Sequence, residues 1–112
     1  MSEYTSYDFS ESVAQAEGFA MQDIQNAVAA WGRNGDYAEW DGGFLLALKD
    51  GRFAYIEGWC DTTGWGCQDG VETTIFDAKP ALSDIAKDRD WDEICADLNR
   101  LIAGEIKDFD HE

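Results

Sequence analysis

The sequence predicts an α+β fold in which a three-stranded antiparallel β-meander packs with an N-terminal and a C-terminal helix. Apolar residues recur at helical spacing before residue 32, the period changes from residue 40, where aromatic and aliphatic residues flank Asp50-Gly51, and a second helical pattern follows residue 90. The chain has 112 residues, of which 45% are hydrophobic, so one packed core is expected. We therefore expect residues 1–112 to form a single domain.

The N-terminal helix is predicted after a short arm. Residues 1–11 show no clear period and are interpreted as this arm. Ser12 and Gln15 have the spacing of a capping box, which marks the start of a helix. The apolar residues that follow at helical intervals are Met21, Ile24, Ala27, Val28 and Trp31. A helix is therefore predicted from Ser12 to about Trp31.

The most distinctive local pattern is a β-hairpin between residues 40 and 59. The pair Asp50-Gly51 between two apolar runs predicts a two-residue type I′ turn. In that register Leu46 faces Tyr55, and one side of the ribbon is bulky and aromatic. Its other side carries small residues, including Gly43 opposite Gly58, and should let a helix approach closely.

The rest of the chain supplies one more strand and the second helix. Residues 60–70 are interpreted as a turn-rich loop, and Val71–Phe76 as the third strand. Pro80 opens a short helical turn. Asp90 and Glu93 have an N-capping spacing, and apolar residues then recur at helical intervals to about Lys107. Residues 108–112 form an acidic tail.

The charge of the chain sets limits on its partners. Asp and Glu number 24 against eight Lys and Arg, which gives a formal net charge of −16. Direct binding to nucleic acid or to an anionic membrane needs clustered basic residues, so neither is expected. A basic protein partner is favoured instead. A generic acidic surface, or adaptation to high salt, is the open alternative.

The start of the chain bears on location. The first 32 residues contain no Lys or Arg and no long apolar run, so neither a signal peptide nor a membrane span is predicted. A cytoplasmic location is therefore expected. The three cysteines, Cys60, Cys67 and Cys95, are an odd number, and free thiols are the expected state in that compartment.

Carboxylates around the predicted C-terminal helix are the first candidate binding site. Asp84, Asp88 and Asp92 are spaced by four residues, as are Glu93 and Asp97. Four helical residues advance about 6 Å along the axis, so such a row could imitate nucleic-acid phosphates and occupy a protein's basic groove. An ordinary solvated helix face is the alternative interpretation.

Two tryptophans in the predicted loop are the second candidate. Trp is enriched at binding hot spots, so Trp59 and Trp65 are candidate partner-binding residues. A structural role in locking the loop onto the sheet explains them equally well.

A metal site on this loop is the weaker interpretation. Cys60, Asp61 and Cys67 could contribute ligands to zinc, but a structural zinc site needs four ligands and the single His is His111 near the chain end. Cys95 falls in the helical pattern and is predicted to be a buried thiol. We expect no metal and no cofactor.

Catalysis is not expected. The chain has no His before position 111 to serve as a general base, and no Gly-rich loop that could cradle phosphate precedes a helix. The carboxylates form no pair whose separation the sequence establishes. The protein is therefore predicted not to be an enzyme.

The hairpin sequence carries one resemblance. Lys49-Asp50-Gly51-Arg52, followed by the loop from Gly58 to Gln68, resembles a hairpin of small acidic bacterial and phage proteins, and this resemblance implies no activity. In charge and size the chain is similar to phage-encoded inhibitors of host defence, including anti-CRISPR and anti-restriction proteins, and to immunity proteins of nuclease toxins. Its element order is similar to a double-stranded-RNA-binding domain, but the charge has the wrong sign for that function.

These observations predict a non-enzymatic inhibitor or decoy that binds a basic, nucleic-acid-handling protein. A nuclease-toxin immunity protein is one alternative. A homodimeric binding or assembly module that uses the aromatic sheet face is another, and a small-ligand or metal-binding domain at the Cys60–Cys67 loop is the third.

Overall fold

The α+β class is confirmed, with a four-stranded antiparallel sheet rather than a three-stranded one. The computed structural model describes residues 4–35, 39–64, 66–86 and 88–111, with the backbone alone for 61–64, 66–68 and 110–111. Its elements are β1 (Tyr4–Thr5), α1 (Ser6–Gln15), a 3₁₀ turn (Met21–Asp23), β2 (Ile24–Asn34), β3 (Trp40–Leu48), β4 (Phe53–Gly64), β5 (Gly66–Phe76), α2 (Leu82–Ile85), α3 (Ala96–Ile102) and β6 (Asp110–His111). The main sheet has the order β2-β3-β4-β5.

The first helix lies earlier in the chain than predicted. It begins within the expected arm because Thr5 and Asp8 form the capping box: the Asp8 amide donates to Thr5 Oγ1 at 3.2 Å, and the Thr5 amide donates to Asp8 Oδ2 at 2.9 Å. Ser12, the predicted cap, is instead buried in the middle of α1. The prediction of a helix from Ser12 to Trp31 is therefore wrong.

Residues 24–31 of the predicted N-terminal helix belong to the edge strand β2. Its pairing with β3 shifts register between Ile24 and Asn26 and again between Ala27 and Ala29. Each bulge adds one residue, so a strand that normally repeats every two residues places Ile24, Ala27 and Ala30 on the same sheet face. This spacing of three imitates a helix, which explains the wrong prediction.

The β3–β4 hairpin exists, but its turn is one residue longer than predicted. The Leu48 amide donates to the Arg52 carbonyl at 2.9 Å, and the Gly51 amide donates to the Leu48 carbonyl at 3.1 Å. Gly51 has φ +93°, as in a three-residue turn whose last residue is left-handed. The predicted two-residue turn is therefore wrong, and the register moves by one residue.

The shifted register removes the predicted contrast between an aromatic and a smooth face. Leu46 pairs with Ala54, and Leu45 pairs with Tyr55. Large side chains therefore point to both sides of the ribbon. One side packs against residues of α1 and α3, including Phe9 and Leu98. The other packs against Leu82, Ile85 and Trp91, so the aromatic face proposed for a homodimer is not present.

Residues 60–70 belong mainly to strands rather than to a loop. Strand β4 continues to Gly64, and β5 begins at Gly66 and includes the predicted third strand Val71–Phe76. Cys60 pairs with Asp69 across this hairpin. The sheet consequently ends in a long two-stranded ribbon with β5 at its edge.

The C-terminal helix is much shorter than predicted. Helix α3 covers Ala96–Ile102, and the residue before it, Cys95, has φ 51° in the left-handed region. Asp92 forms an isolated bridge with Ala30 of β2, with backbone hydrogen bonds of 2.9 Å and 2.6 Å. This bridge holds residues 90–95 in a non-helical conformation. The expected arm and acidic tail also pair, because β1 and β6 form a second, two-stranded sheet.

Candidate functional site

The predicted row of carboxylates does not lie on one helix. Asp84 is in the four-residue helix α2, Asp88 lies in a turn, and Asp92 lies in the bridge to β2. Glu93 precedes α3, whereas Asp97 is in its first turn. The regular 6 Å spacing that would imitate phosphates is therefore absent, and binding through these side chains stays a prediction.

Asp92 is a structural residue. Its Oδ2 accepts a hydrogen bond from the Tyr4 hydroxyl at 2.9 Å, and its Oδ1 accepts one from the Ile94 amide at 3.1 Å. Burial, followed by the nearby Cys95 and the bond to Asp92, raises the pKa of Tyr4. Neutralising Asp92 would therefore disturb the fold as well as any binding surface.

Two other segments of the chain contain acidic residues without basic ones. Residues 1–32 and 53–78 each contain five acidic residues and no Lys or Arg. The fold brings these two segments together, because α1 contacts both β4 and β5. Four exposed carboxylates define what we call the α1–β5 acidic edge: Glu11, Glu17, Asp69 and Glu72.

Hydrogen bonds fix this edge to the sheet. Gln15 of α1 donates to Asp69 of β5 at 3.1 Å, and the Glu17 amide donates to Thr73 Oγ1 at 3.0 Å. The helix can lie close to the sheet because Gly58 has no side chain. A Cβ at that position would lie 2.6 Å from Ser12 Oγ, so the predicted close approach of a helix is confirmed at Gly58.

A groove opens between α1 and β5 at the acidic edge. The volume of this groove is about 70 Å³. Its lining includes Tyr7 and Glu11 from the helix and Trp40, Asp69 and Val71 from the sheet. Tyr7 is 70% exposed, which is unusual for a large aromatic side chain. An aromatic ring beside carboxylates suits the long, cationic side chain of Lys or Arg.

Trp59 is among the residues that line the groove, although its side chain leaves the sheet on the face away from α1. Alternation along β4 places it with Tyr55, opposite Ile56 and Gly58. It pairs with Gly70, and a Cβ on Gly70 would lie 2.4 Å from the Trp59 ring, so the indole covers the glycine. The ring is 40% exposed. Trp65, the other predicted anchor, is outside the described residues.

The cysteines differ from expectation at one position. Cys60 is disulfide-bonded, so the expectation of a free thiol is wrong there and Cys60 offers no thiolate to a metal. Cys67 and Asp61 lie outside the described side chains. Cys95 is free and buried as predicted, and burial followed by the charge of Asp92 raises its pKa to about 12.

Metal-ligating residues do not cluster in the part of the chain with described side chains. No group of three or more His, Cys, Asp or Glu there could hold an ion. The described helices also include none with the length and apolar character needed to cross a bilayer.

A buried polar chain on the second sheet face was not predicted. The Trp31 indole donates to the Tyr55 hydroxyl at 3.0 Å, and that hydroxyl donates to Glu57 at 3.0 Å. The Arg89 guanidinium lies 4.4 Å from the centre of the Trp31 ring. Burial raises the pKa of Tyr55, which keeps the hydroxyl protonated as a donor. These contacts anchor the segment after β5 and are structural.

Comparison with models of known protein families, with curated proteins and with solved structures found no match.

Proposed function

We propose that the protein is a non-enzymatic inhibitor or decoy that binds a basic, nucleic-acid-handling protein through the α1–β5 acidic edge. The observation that carries this proposal is the segregation of charge. Helix α1 and strands β4 and β5 contain no Lys or Arg, and they lie together in the fold. A basic surface evolved to hold phosphates would be attracted to this edge at long range.

Uncompensated charge is the driving force in this proposal. Even if all eight basic residues paired with carboxylates, sixteen of the 24 acidic residues would have no cationic partner within the chain. The ion pairs among described side chains use carboxylates outside the acidic edge, for example Asp41 with Arg33 and Asp97 with Arg100. Binding a cationic surface would relieve the resulting self-repulsion.

The groove beside Tyr7 gives the encounter a specific contact. A Lys or Arg side chain of the partner would place its methylene groups against the ring and its charge near Glu11 and Asp69. Binding would cover the partner's nucleic-acid site by occupying it, and no bond is made or broken in this process.

The test begins with capture of the partner at low ionic strength and continues with purified components. We expect the captured protein to bind DNA or RNA, and to lose that binding when this protein is added. Its affinity should fall steeply as the salt concentration rises, because salt shortens the Debye length from about 10 Å at 0.1 M to about 3 Å at 1 M.

Two triple variants of equal charge separate the acidic edge from the C-terminal carboxylates. The first is Glu11→Gln with Asp69→Asn and Glu72→Gln. The control is Asp84→Asn with Glu93→Gln and Glu105→Gln, all at exposed positions.

We expect about a tenfold loss of affinity for the edge variant, since three exposed ion pairs of about 0.5 kcal/mol each would be lost. The control should lose less than about threefold, because its carboxylates lie outside the proposed contact and no direct ion pair with the partner is lost. Salt-independent binding, or a larger loss in the control, would contradict the proposed surface.

A cytoplasmic location belongs to the same proposal because the partner handles nucleic acid. The cytosol keeps most thiols reduced, whereas Cys60 is disulfide-bonded in the structure. Alkylating the thiols in intact cells before lysis would distinguish the two states. If Cys60 is protected from alkylation in the cell, the location is wrong, and the proposed partner class is then tested separately.

A further inference from the structure

The two edge strands of the main sheet, β2 and β5, differ in the hydrogen bonding of their outer backbone groups. On the β2 edge, Asp92 pairs with the Ala30 backbone, and the Asn99 side chain hydrogen-bonds both the amide and the carbonyl of Ala27, at 2.7 Å and 3.2 Å. These bonds occupy the outer side of the strand. That edge is protected from pairing with another chain.

The β5 edge carries no comparable protection in the described part of the chain. Strand β5 is 11 residues long, and its recorded pairing is with β4 on its inner side. Among the described residues, no backbone group of β5 forms a hydrogen bond with the backbone of a turn, loop or helix end. The hydrogen bonds of β5 with α1 and the segment after it use the side chains of Asp69 and Thr73. Within the described residues, the outer backbone groups of β5 are therefore open for pairing.

We propose that β5 receives an extended, basic segment of the partner as a fifth strand of the sheet. This inference rests on the proposed function and names the part of the partner that binds. Main-chain hydrogen bonds to β5 would supply affinity, and alternate side chains of the added strand would supply selectivity.

The side chains along β5 define which strand fits. Asp69 and Val71 point to the same sheet face as α1, where the groove beside Tyr7 opens. Glu72 points to the other face, directly opposite Glu57. A cationic side chain on either face of an added strand would meet a carboxylate, and next to Glu72 it would offset the repulsion from Glu57.

The same carboxylates disfavour a second copy of this chain at the edge. Pairing β5 with itself would bring Asp69 and Glu72 of both copies to one seam, without a Lys or Arg in either strand. Like charges at a strand seam are destabilising, and charged residues at edges are a common protection against self-association. Charge therefore selects a basic strand and rejects an identical one.

The experiment uses the full chain and two synthetic peptides of equal charge. One is a ten-residue alternation of Lys and Val. The other has the same sequence with N-methyl groups on the amides of one edge, which removes those hydrogen-bond donors. Binding is measured by calorimetry at low salt, and amide hydrogen exchange locates the bound peptide.

We expect the unmodified peptide to bind and to slow exchange at amides between Asp69 and Ile75. The N-methylated peptide should bind about tenfold more weakly, because backbone pairing is lost while the charge is kept. Glu72→Gln should weaken binding of the unmodified peptide by about threefold, with Glu105→Gln as a matched control at an exposed site outside the sheet.

Equal binding of the two peptides would overturn strand addition and leave a charge-driven inhibitor standing. Protection of β2 amides instead of β5 amides would also overturn it. If neither peptide binds while the captured partner does, strand addition fails and the proposed function remains. If the captured partner does not bind the purified protein, the proposed function itself is contradicted.

Discussion

Replacing Gly43 with Ala tests the hairpin register. Gly43 is buried on β3 and pairs with Glu57 of β4. A Cβ at this position would lie 2.2 Å from the Tyr55 hydroxyl oxygen and 2.4 Å from Trp31 Nε1. These two atoms form the buried 3.0 Å hydrogen bond between Trp31 and Tyr55. The added methyl group therefore displaces both side chains at once.

The expected loss of stability is about 2–3 kcal/mol. Overpacking a filled core costs about 1–3 kcal/mol, and losing a neutral hydrogen bond costs about 0.5–1.5 kcal/mol. Replacing Gly with Ala also lowers the conformational entropy of the unfolded chain, which stabilises the folded state by about 0.4–1 kcal/mol. For a domain of this size the melting temperature should fall by roughly 10 °C.

Gly70→Ala is the matched control on a neighbouring strand. Its Cβ would lie 2.4 Å from the Trp59 ring, a separation as short as the one between the Gly43 Cβ and Trp31 Nε1. The Trp59 ring is 40% exposed and can turn towards solvent, so the loss should stay below about 1 kcal/mol.

Urea unfolding followed by tryptophan fluorescence measures both variants. A Gly43→Ala protein as stable as the parent, or one more stable than Gly70→Ala, would refute the register. In the two-residue turn register, Gly43 would face Gly58 on a smooth surface with room for a methyl group.

Two further predictions concern buried polar groups. The pKa of Cys95 is raised from 9.0 to about 12 by burial, so its neutral form stabilises the fold fully below pH 9 and this contribution declines as the pH rises from 9 towards 12. Tyr4 and Tyr55, whose pKa values are also raised, add to the decline above pH 10. The urea midpoint should therefore fall steadily from pH 9 to pH 11, and a constant midpoint would contradict the burial of these groups. Asn99→Ala should lower the unfolding free energy by about 1–3 kcal/mol, because the amide and carbonyl of Ala27 lose their partner, whereas Gln25→Ala on the exposed side of β2 should change it by less than about 0.5 kcal/mol. Urea unfolding at pH 7 compares the two, and equal losses would show that Asn99 does not protect this edge.

The sequence was sufficient for the α+β class and for the β3–β4 hairpin but not for strand β2. Residues Ile24, Ala27 and Ala30 share a face in both a helix and a doubly bulged strand. Bulges depend on pairing with β3, so no local pattern reveals them. Pairing with β3 determines that these residues form a strand, and their helical periodicity therefore predicts the wrong element.

The turn error shows how one residue changes the interpretation of a sheet. Asp50-Gly51 occurs in two-residue type I′ turns, and Gly is equally suited to the last position of a three-residue turn, where Gly51 adopts φ +93°. A two-residue turn would place Leu46 opposite Tyr55, whereas the three-residue turn places it opposite Ala54. In this register the large side chains of the hairpin point to both sides of the sheet, so the predicted aromatic face for a homodimer is not formed.

The acidic character of the candidate site follows from the composition, whereas its position does not. Acidic composition indicated a cationic partner, whereas the helix row depended on Asp92 being a free surface residue. Its partner, Tyr4, lies 88 residues earlier in the sequence, and such a contact leaves no local pattern. The polar chain through Tyr55 was missed for the same reason.

The acidic edge is a product of the fold rather than of a run of acidic residues. Its two segments, residues 1–32 and 53–78, are separated by Arg33, Lys49 and Arg52, and they become neighbours when α1 packs on β4 and β5. Adaptation to high salt requires many surface carboxylates, but it does not require that two segments without Lys or Arg pack together. An interaction surface does require it, because a single exposed Lys or Arg beside Asp69 or Glu72 would repel the cationic segment that we propose binds there.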